Sequence, residues 1–565
     1  TPDANFFGAD SFTYKANDGT ADGNTVTVSL TVTAANDAPV AVADSYTVDE
    51  DGTLTVAVAS GVLANDSDAD DDALTAVLVA DVAHGSLTLS ADGSFVYTPA
   101  ADFFGSDSFT YKANDGAAGG NTVTVSLSVA NTGIPAPQSI DLDDIAGGSG
   151  GFKIIGENAG DYAGHRVSSA GDVNGDGLGD LIVGAYANGA GGDDAGAAYL
   201  VFGAATSPAS IDLDDIAAGI GGFRIIGEYP YDYAGYSVSS VGDINGDGFD
   251  DLVVGAYAND AGSYDAGAAY VVFGAATSPA SVNLDDIAAG NGGFKIIGEN
   301  AGDYAGWSVS SAGDVNGDGF GDLIVGAQLS PTGGLNAGAA YLVFGAATSP
   351  ASIDLDDIAA GIGGFRIIGE YPYDYAGYSV SSAGDVNGDG FDDLIVGAYG
   401  NDGGGTGAGA AYVVFGAATS PASVNLDDIA AGNGGFKIIG ETINNFAGWS
   451  VSSAGDVNGD GFDDLIVGAY GNDAGGSYAG AAYLIFGTQT SPVSIDLNDI
   501  AAGNGGFKIT GENAEDYAGQ SVSSAGDVNG DGFDDLIVGA FANDAGGNDA
   551  GAAYTIYGGD WVEGL

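Results

Sequence analysis

A 71-residue repeat constrains this chain more than any other feature. The stretch "GDVNGDGFDDLIVGA" at residues 384–398 recurs in close variants along the chain. The aspartates that open the six copies are Asp172, Asp243, Asp314, Asp385, Asp456 and Asp527, each 71 residues after the last. A fixed period of this size is typical of solenoids and propellers, in which each repeat buries its apolar face against its neighbours.

Each copy contains four strand candidates, such as "GFKIIGE", "GWSVSSAGD", "DDLIVGAY" and "GAAYLVFG". The last two are nearly continuous apolar runs, which is the pattern of strands buried on both faces. No helical pattern of useful length separates them. A four-stranded sheet covered on both faces by its neighbours describes a propeller blade. A linear solenoid is the alternative, but its sheets usually run parallel along one axis with shorter coils, so we favour the closed ring.

The N-terminal part has a different period. "TPDANFFGADSFTYKANDG" from Thr1 returns as "TPAADFFGSDSFTYKANDG" from Thr98, and the segments between alternate apolar and polar residues between turns. Such alternation predicts half-buried antiparallel strands in a sandwich of about a hundred residues. We therefore expect an all-β chain: the end of one sandwich repeat (1–34), a complete repeat (35–132), a linker (133–138) and a propeller of six visible blades (139–565). Because the chain begins inside a repeat, we expect it to be a fragment.

The charge of the chain limits its partners. It has 78 acidic and 9 basic residues and a net charge of −69. Such a polyanion is repelled by nucleic acid and by anionic lipid, so neither is an expected partner. No apolar run is long enough for membrane insertion. With no cysteine, the chain has no disulfides or thiolate-bound metals, and bound cations are the obvious means of neutralising its charge.

The aspartate loops have the ligand pattern of a calcium site. In the second copy, Asp243, Asn245, Asp247 and Asp251 occupy positions 1, 3, 5 and 9, and the carbonyl of Phe249 occupies position 7. Calcium takes six to eight hard oxygen ligands, which this spacing supplies. We predict about six Ca²⁺ ions in the propeller. The predicted ligands are Asp172, Asn174, Asp176, Leu178, Asp180, Asp243, Asn245, Asp247, Phe249, Asp251, Asp314, Asn316, Asp318, Phe320, Asp322, Asp385, Asn387, Asp389, Phe391, Asp393, Asp456, Asn458, Asp460, Phe462, Asp464, Asp527, Asn529, Asp531, Phe533 and Asp535.

Two related loop types are excluded by position 12. An EF-hand has a bidentate Glu there and continues as a helix, and a dockerin-type loop also needs an acid there, whereas this chain has Val254 inside an apolar run. The remaining alternative is an Asp/Asn/Gly hairpin turn without an ion. We favour the ion because six copies keep all four side-chain positions, whereas turn chemistry alone would let Asp, Asn, Ser and Gly interchange.

Six of the nine cations fill a single repeat position, "GGF[K/R]I". They are Lys153, Arg224, Lys295, Arg366, Lys437 and Lys508. Glu157 and Glu299 follow Lys153 and Lys295 by four residues, so each such pair shares a strand face. We hypothesise contacts between these cations and Glu or Asp, within or between blades. The alternative is an exposed pair of little energetic weight.

The motif "AGxSVSSAGDxNGDGxxDLIVGA" followed by "GAAYxVFG" resembles the FG-GAP repeats of integrin α-chain propellers and of many bacterial surface proteins. This resemblance implies a β-propeller with calcium loops on one rim and ligand recognition usually on another. Integrin-type propellers have seven blades, so the resemblance leaves two possibilities, a ring of six blades or a seventh beyond Leu565.

The N-terminal copies, through "NDAPVAVADSYTVDEDGTLTV", "GVLANDSDADDD" and "DSFTYKANDG", resemble the cadherin-like, Ig-like tandem repeats of bacterial adhesins and RTX-type exoproteins. In cadherin-like modules, acids at domain junctions bind calcium, which implies further Ca²⁺ at the junctions of the sandwich repeats. The residues for this role are Asp37, Glu50, Asp66, Asp68 and Asp70. The alternative is that these aspartate-rich turns are simply solvated.

Recognition is better supported than catalysis. The two histidines, His84 and His165, form no acid/base constellation, and the serines of "SVSS" recur in every copy. Tyrosines on acidic, proline-containing loops offer contact area for a protein or carbohydrate ligand, or else pack between blades. They are Tyr229, Tyr231, Tyr233, Tyr371, Tyr373 and Tyr375.

We expect a non-enzymatic, calcium-binding adhesion or recognition protein, extracellular or on the cell surface and secreted by a bacterium, whose sandwich stalk presents the propeller. The alternatives are an extracellular hydrolase or lyase acting on lipid or polysaccharide, with the propeller as an accessory domain, and a structural surface-layer or matrix protein.

Overall fold

The computed structural model describes residues 1–3, 6–49, 52–100, 103, 105–130, 152–204, 210–277, 279–348, 350–489, 492–530, 532–544 and 551–559. It is nearly all β, with 43% strand and 5% helix. One compact unit has Thr1–Gln138 as its main segment, and the other consists of Ser139–Val528 and Phe533–Leu565.

The first unit contains a sandwich and a hairpin. Its strands are β1 (Gly8–Asn17), β2 (Asp22–Val32), β3 (Asp44–Asp49), β4 (Leu54–Val56), β5 (Thr75–Ala80), β6 (Gly85–Leu89), β7 (Phe95–Pro99), β8 (Gly105–Asn114) and β9 (Gly119–Ala130), with a 3₁₀ turn at Val58–Ser60. The sheets β3-β9-β8-β5 and β4-β7-β6 enclose a core that includes Phe95, Tyr97, Phe109 and Tyr111, all at most 1% exposed. The hairpin β1-β2 is the counterpart of β8-β9 one repeat earlier.

The second unit repeats five kinds of strand. The first strands are β11 (Val167–Gly171), β16 (Ser237–Gly242), β21 (Ser308–Gly313), β26 (Ser379–Gly384), β31 (Ser450–Gly455) and β36 (Ala518–Gly526). The second strands are β12 (Asp180–Ala185), β17 (Asp251–Ala256), β22 (Asp322–Ala327), β27 (Asp393–Ala398), β32 (Asp464–Ala469) and β37 (Asp535–Ala540). The third strands are β13 (Ala197–Val201), β18 (Ala268–Val272), β23 (Ala339–Val343), β28 (Ala410–Val414), β33 (Ala481–Ile485) and β38 (Ala552–Ile556).

The "GF[K/R]I" motifs and the segments before them form the remaining strands. The fourth strands are β10 (Lys153–Ile155), β15 (Gly222–Ile226), β20 (Gly293–Ile297), β25 (Gly364–Ile368), β30 (Gly435–Ile439) and β35 (Gly506–Thr510). The short fifth strands are β14 (Ser210–Asp212), β19 (Ser281–Asn283), β24 (Ser352–Asp354), β29 (Ser423–Asn425) and β34 (Ser494–Asp496).

Each blade is offset from the sequence repeat. The second sheet has the order β16-β17-β18-β20-β24, so its fourth strand comes from the third copy and its fifth from the segment that leads into the fourth copy. The first four strands are antiparallel, and the fifth runs parallel to the fourth. A blade therefore draws on three successive copies, whereas the sequence analysis expected four strands from one copy. This sharing ties each blade to the next through the backbone.

A single helical turn precedes most of the fourth strands, which the sequence analysis did not expect. The turns are α1 (Leu213–Ala217), α2 (Leu284–Ala288), α3 (Leu355–Ala359), α4 (Leu426–Ala430) and α5 (Leu497–Ala501). Asp212 caps α1 by accepting from the N–H of Asp214, and Leu213 and Ile216 are buried. Two buried apolar residues anchor every turn, and a side-chain N-cap bond fixes each of them except α2, where Asn283 forms none. Over the described ranges, the chain forms no helix with the length and apolarity that a membrane crossing requires.

The cores of the propeller lie between adjacent sheets. First strands of neighbouring blades contact one another in succession, from β11 and β16 to β31 and β36, so they line the inside of the array. Ile182 and Leu200 of the first blade pack against Val238 and Leu252 of the second. Second strands such as β17 are buried along their whole length, because a neighbouring sheet covers each face.

The two ends of the array are less covered than its middle. Val167 in the first blade is 66% exposed, whereas its counterparts Val238, Val309, Val380 and Val451 are 5% to 7% exposed. Ile537 in the sixth blade is 37% exposed, and Ile466 in the fifth is fully buried. Among the described strands, β10 pairs with β14 alone, and the sixth sheet has only β36, β37 and β38. The described residues contain six blades.

Candidate functional site

The aspartate loops all lie at one rim of the propeller, because each joins the first strand of a blade to its second. Tight turns need backbone angles that only glycine adopts easily, and Gly246 and Gly248 have φ of 76° and 92°. The glycines bend the loop so that its side chains face inward over its own backbone.

Backbone amides hold the aspartates in place. In the second loop, the carboxylate of Asp243 accepts from the N–H groups of Gly246, Asp247 and Gly248 at 2.6, 2.9 and 2.8 Å. Asp251 accepts from the N–H of Ile244 at 3.2 Å and from that of Gly274 at 2.8 Å. A carboxylate oxygen has two lone pairs. The Asp243 oxygen that accepts from Gly248 and the Asp251 oxygen that accepts from Gly274 carry one hydrogen bond each, so each keeps a lone pair for a cation.

The charge balance of the loop favours a cation. Asp251 is fully buried, and its burial, with the charges of Asp247 and Asp243, raises its pKa to about 7. The same causes raise the pKa of Asp322 and Asp464 to about 7 and that of Asp393 to about 8. None of these four forms a salt bridge with a described cation. Buried carboxylates beside like charges fit a divalent ion, and the oxygen-only donor set fits calcium.

The propeller loops are nevertheless looser than a filled site. In the part of the chain that the structure describes, the one group of three carboxylates within 4.8 Å of one another is Asp68, Asp70 and Asp72. Calcium in the propeller would require the aspartates at positions 1, 5 and 9 to move closer together. Asp531, a predicted ligand of the sixth loop, lies outside the described residues. The six calcium ions remain a prediction.

We expect calcium-free protein to lose stability as the pH rises from about 4 to 8. The folded pKa of Asp251 and its counterparts lies above the ordinary aspartate value of 3.8, so the folded state holds protons that the unfolded state releases. Stability from such groups is present below pH 4 and is lost as the pH passes through the folded pKa. Melting of calcium-free protein between pH 5 and 8 tests this, and saturating calcium should remove the trend. A flat calcium-free profile would contradict it.

The structure brings together most of the acids predicted to bind calcium in the sandwich repeat. Asp70 accepts from the N–H of Asp37 at 2.7 Å, and Asp66 accepts from the N–H of Val42 at 2.8 Å. Asp68 and Asp70 belong to the compact group with Asp72, a residue that the sequence analysis did not select. The run "DSDADDD" was the signal that could have included it. Glu50 lies outside the described residues.

In the part of the chain that the structure describes, five of the six repeated cations form buried or partly buried ion pairs between blades. Lys295 contacts Glu228, 67 residues earlier, and its side chain is 4% exposed. The four-residue pairing expected from the shared strand face is not formed, since Glu299 binds Arg366 instead. The pairs are Arg224–Glu157 (2.8 Å), Lys295–Glu228, Arg366–Glu299 (2.7 Å), Lys437–Glu370 (2.5 Å) and Lys508–Glu441 (2.6 Å).

Further residues surround each ion pair and hydrogen-bond to its glutamate or to one another. The hydroxyl of Tyr270 donates to Glu228 and accepts from the side-chain amide of Asn259, which also donates to Asp232. The ammonium of Lys295 lies 5.1 Å from the centre of the Tyr270 ring. The sequence analysis missed Tyr270, Asn259 and Asp232. Tyr270 recurs in every copy, Asn259 recurs in five of the six, and every copy has an acid or an amide at the position of Asp232.

An aromatic belt runs along the rim opposite the aspartate loops, where first strands begin and second strands end. Its rings are His165, Tyr236, Trp307, Tyr378 and Trp449 before the first strands, Tyr186, Tyr257, Tyr399, Tyr470 and Phe541 after the second strands, and Tyr162, Tyr233, Tyr304, Tyr375, Phe446 and Tyr517 in the preceding turns. Tyr236 and Trp307 are 4.6 Å apart, and Tyr257 contacts both at 4.7 and 5.1 Å. The rings thus bridge successive blades.

The tyrosines in the turns adopt an uncommon backbone. Tyr233 and Tyr304 have φ of 56° and 58°, a left-handed conformation that costs free energy in a non-glycine residue. Stacking holds the ring in place: Tyr233 lies parallel to Tyr257 at 5.5 Å. Such strain persists only where surrounding contacts over-determine it, and it is often found at functional surfaces.

The six tyrosines predicted to contact ligand divide into two groups. Tyr229 and Tyr231 are 52% and 54% exposed, as are their counterparts Tyr371 and Tyr373 at 53% and 51%. Tyr233 and Tyr375 are half-buried in the aromatic belt, where they pack on Tyr257 and Tyr399. The first group is free to contact a partner, and the second group positions the belt.

Comparisons with known families agree with this architecture. A model of the bacterial cadherin-like domain matches residues 36–131. The FG-GAP repeat model matches residues 163–201, 234–272, 305–343, 376–414, 447–485 and 518–556. The chain carries six FG-GAP repeats. The predicted resemblance to both families is thereby confirmed.

Curated relatives share the FG-GAP repeats. Integrin alpha-V of Gallus gallus is 30% identical over 275 residues, which is 48% of this chain and 22% of that protein. Phosphatidylinositol-glycan-specific phospholipase D of Bos taurus is 33% identical over 219 residues, 38% of this chain and 24% of that protein. Integrin alpha-PS2 of Drosophila melanogaster is 32% identical over 187 residues, 32% of this chain and 12% of that protein. The chain matches less than a quarter of the length of each.

Proposed function

We propose that this chain is a calcium-binding adhesion or recognition protein of the cell exterior, secreted by a bacterium, in which the cadherin-like repeats are a stalk and the FG-GAP propeller binds a protein or carbohydrate. The observation that supports this best is the aromatic belt, which joins all six blades on the rim away from the aspartate loops. Half-buried Tyr and Trp rings present a rigid apolar surface with polar edges, the type of surface that recognition sites use.

The calcium loops have a structural part in this proposal. They close the opposite rim of every blade, so an ion there sets the blade geometry without touching a ligand on the belt. The exposed Tyr229, Tyr231, Tyr371 and Tyr373 extend the belt outward in the second and fourth copies. We expect ligand binding to require calcium only because calcium keeps the blades in register.

The main alternative is an extracellular hydrolase or lyase, to which the match with a phospholipase D gives some support. The histidines offer it little. His84 stacks on Phe103 at 4.3 Å, and His165 lies against Tyr186 and Tyr236, where burial lowers its pKa. We propose that the chain is not an enzyme. The third candidate is a structural surface-layer or matrix protein.

A binding screen separates these functions. We expect the full chain in millimolar calcium to bind members of a glycan or protein array, and a Trp307→Ala/Trp449→Ala variant to lose that binding at least tenfold while keeping its calcium. Ile220→Ala/Ile362→Ala, at two exposed positions outside the aspartate loops and the belt, serves as the control for surface change. Turnover in a lipase and polysaccharide-hydrolase screen would overturn the proposal in favour of an enzyme. Absence of both binding and turnover would favour the structural protein.

A further inference from the structure

We propose that the aspartates at position 8 of the loops link neighbouring calcium loops, so that calcium binds the propeller cooperatively in two blocks, loops one and two and loops three to six. This inference rests on the proposed calcium binding. Position 8 is not a predicted ligand. It is Asp250, Asp392, Asp463 and Asp534 in loops two, four, five and six, and Gly179 and Gly321 in loops one and three.

Each of these aspartates bonds to the loop of the preceding blade. The carboxylate of Asp250 accepts from the N–H of Asp172 at 2.7 Å, and the N–H of Asp250 donates to the carbonyl of Asp172 at 3.3 Å. The same exchange joins Asp392 to Asp314, Asp463 to Asp385 and Asp534 to Asp456, with carboxylate distances of 2.7, 2.8 and 3.0 Å.

These bonds join ligand positions of two loops. Asp172 is at position 1 of the first loop, while Asp250 stands between Phe249 and Asp251, at positions 7 and 9 of the second. The Phe249 ring also covers the first loop, since a Cβ added to Gly175 would lie 2.6 Å from its edge. An ion that orders one loop therefore orders the ligands of the next. The second ion then loses less conformational entropy on binding, which is positive cooperativity.

The chain contains a natural break in this series. Loop three has Gly321 at position 8, so no carboxylate reaches the N–H of Asp243 in loop two. A Cβ added to Gly171, Gly313, Gly384 or Gly455 would meet the carboxylate of the next loop, whereas one added to Gly242 would meet nothing within 4 Å. The Phe320 ring still lies against Gly246 at this junction. Loops two and three thus keep the ring contact and lack the carboxylate link.

Calcium titration of the full chain by calorimetry and tryptophan fluorescence tests the link. We expect the unmodified chain to titrate with a Hill coefficient above 1, and the second ion in a block to bind on the order of 5-fold tighter or more. Asp392→Gly, which copies the natural Gly321, should lower the Hill coefficient without changing the number of ions bound. Gly321→Asp should raise it by joining the two blocks. Asp357→Asn, on an exposed helical turn of the same repeat, controls for the lost charge.

The outcomes are distinct. An unchanged Hill coefficient in both Asp392→Gly and Gly321→Asp would overturn the link while leaving the proposed calcium binding intact. A chain that binds no calcium at all would overturn the proposed function, and the link with it. Circular dichroism in saturating calcium identifies a variant that fails to fold. If Asp392→Gly does not fold, the Hill coefficient of Gly321→Asp, which adds a contact, becomes the test of the link.

Discussion

Removal of calcium should lower the melting temperature of the full chain by roughly 10 °C or more. An ion present at 100 times its dissociation constant stabilises the folded state by about 2.7 kcal/mol per site. Because the six loops belong to one array of blades, the stabilisation free energies of their ions should add. Without the ion, each loop keeps three carboxylates, one of which is buried in all six copies. Calorimetry with calcium and with chelator measures the shift, and atomic absorption counts the ions.

A single loop can be tested by substitution. Asp251→Asn removes a buried ligand, so we expect it to bind one ion fewer than the unmodified chain and to melt at a lower temperature in calcium. Asp285→Asn removes the same charge from an exposed position on the helical turn between the first and second blades, and it should change neither quantity. If chelation leaves the melting temperature unchanged, the loops are hairpin turns without an ion. If Asp251→Asn binds as many ions as the unmodified chain, the Asp251 carboxylate is not required for calcium binding.

Breaking one inter-blade ion pair should destabilise the propeller by roughly 3–5 kcal/mol. Lys295→Met leaves Glu228 as an uncompensated charge at a site where its side chain is only 7% exposed. Tyr270 and Asn259 alone cannot neutralise it. Urea unfolding at fixed calcium, followed by near-ultraviolet circular dichroism, measures the loss.

Two further variants make the ion-pair result specific. The Lys295→Met/Glu228→Gln double variant removes both charges, and we expect it to recover part of the loss because no buried charge is then left unpaired. Lys15→Met removes the pair with Asp22, whose side chains are 51% and 57% exposed, and should cost less than about 1 kcal/mol. Unchanged unfolding of Lys295→Met would show that the buried pair contributes nothing.

The sequence determined those features that depend on local pattern and period. The 71-residue spacing predicted the blades, the continuous apolar runs predicted strands buried on both faces, and the motif predicted FG-GAP repeats. It also identified the cations at "GF[K/R]I" as a structural set. These features follow from residues within one copy, and six similar copies confirm one another.

The tertiary structure alone decided which copy each residue contacts. Lys295 has an equivalent glutamate in every copy, including Glu299 four residues further along its own copy, and only the tertiary structure shows that Glu228 is the partner. The bond from Asp250 to Asp172 spans 78 residues, and the aromatic belt gathers rings from all six blades. Near-identical repeats offer equivalent partners at every multiple of the period. Which of these partners is used depends on the fact that the fourth strand of each copy joins the sheet of the preceding blade. No periodicity in the sequence encodes that arrangement.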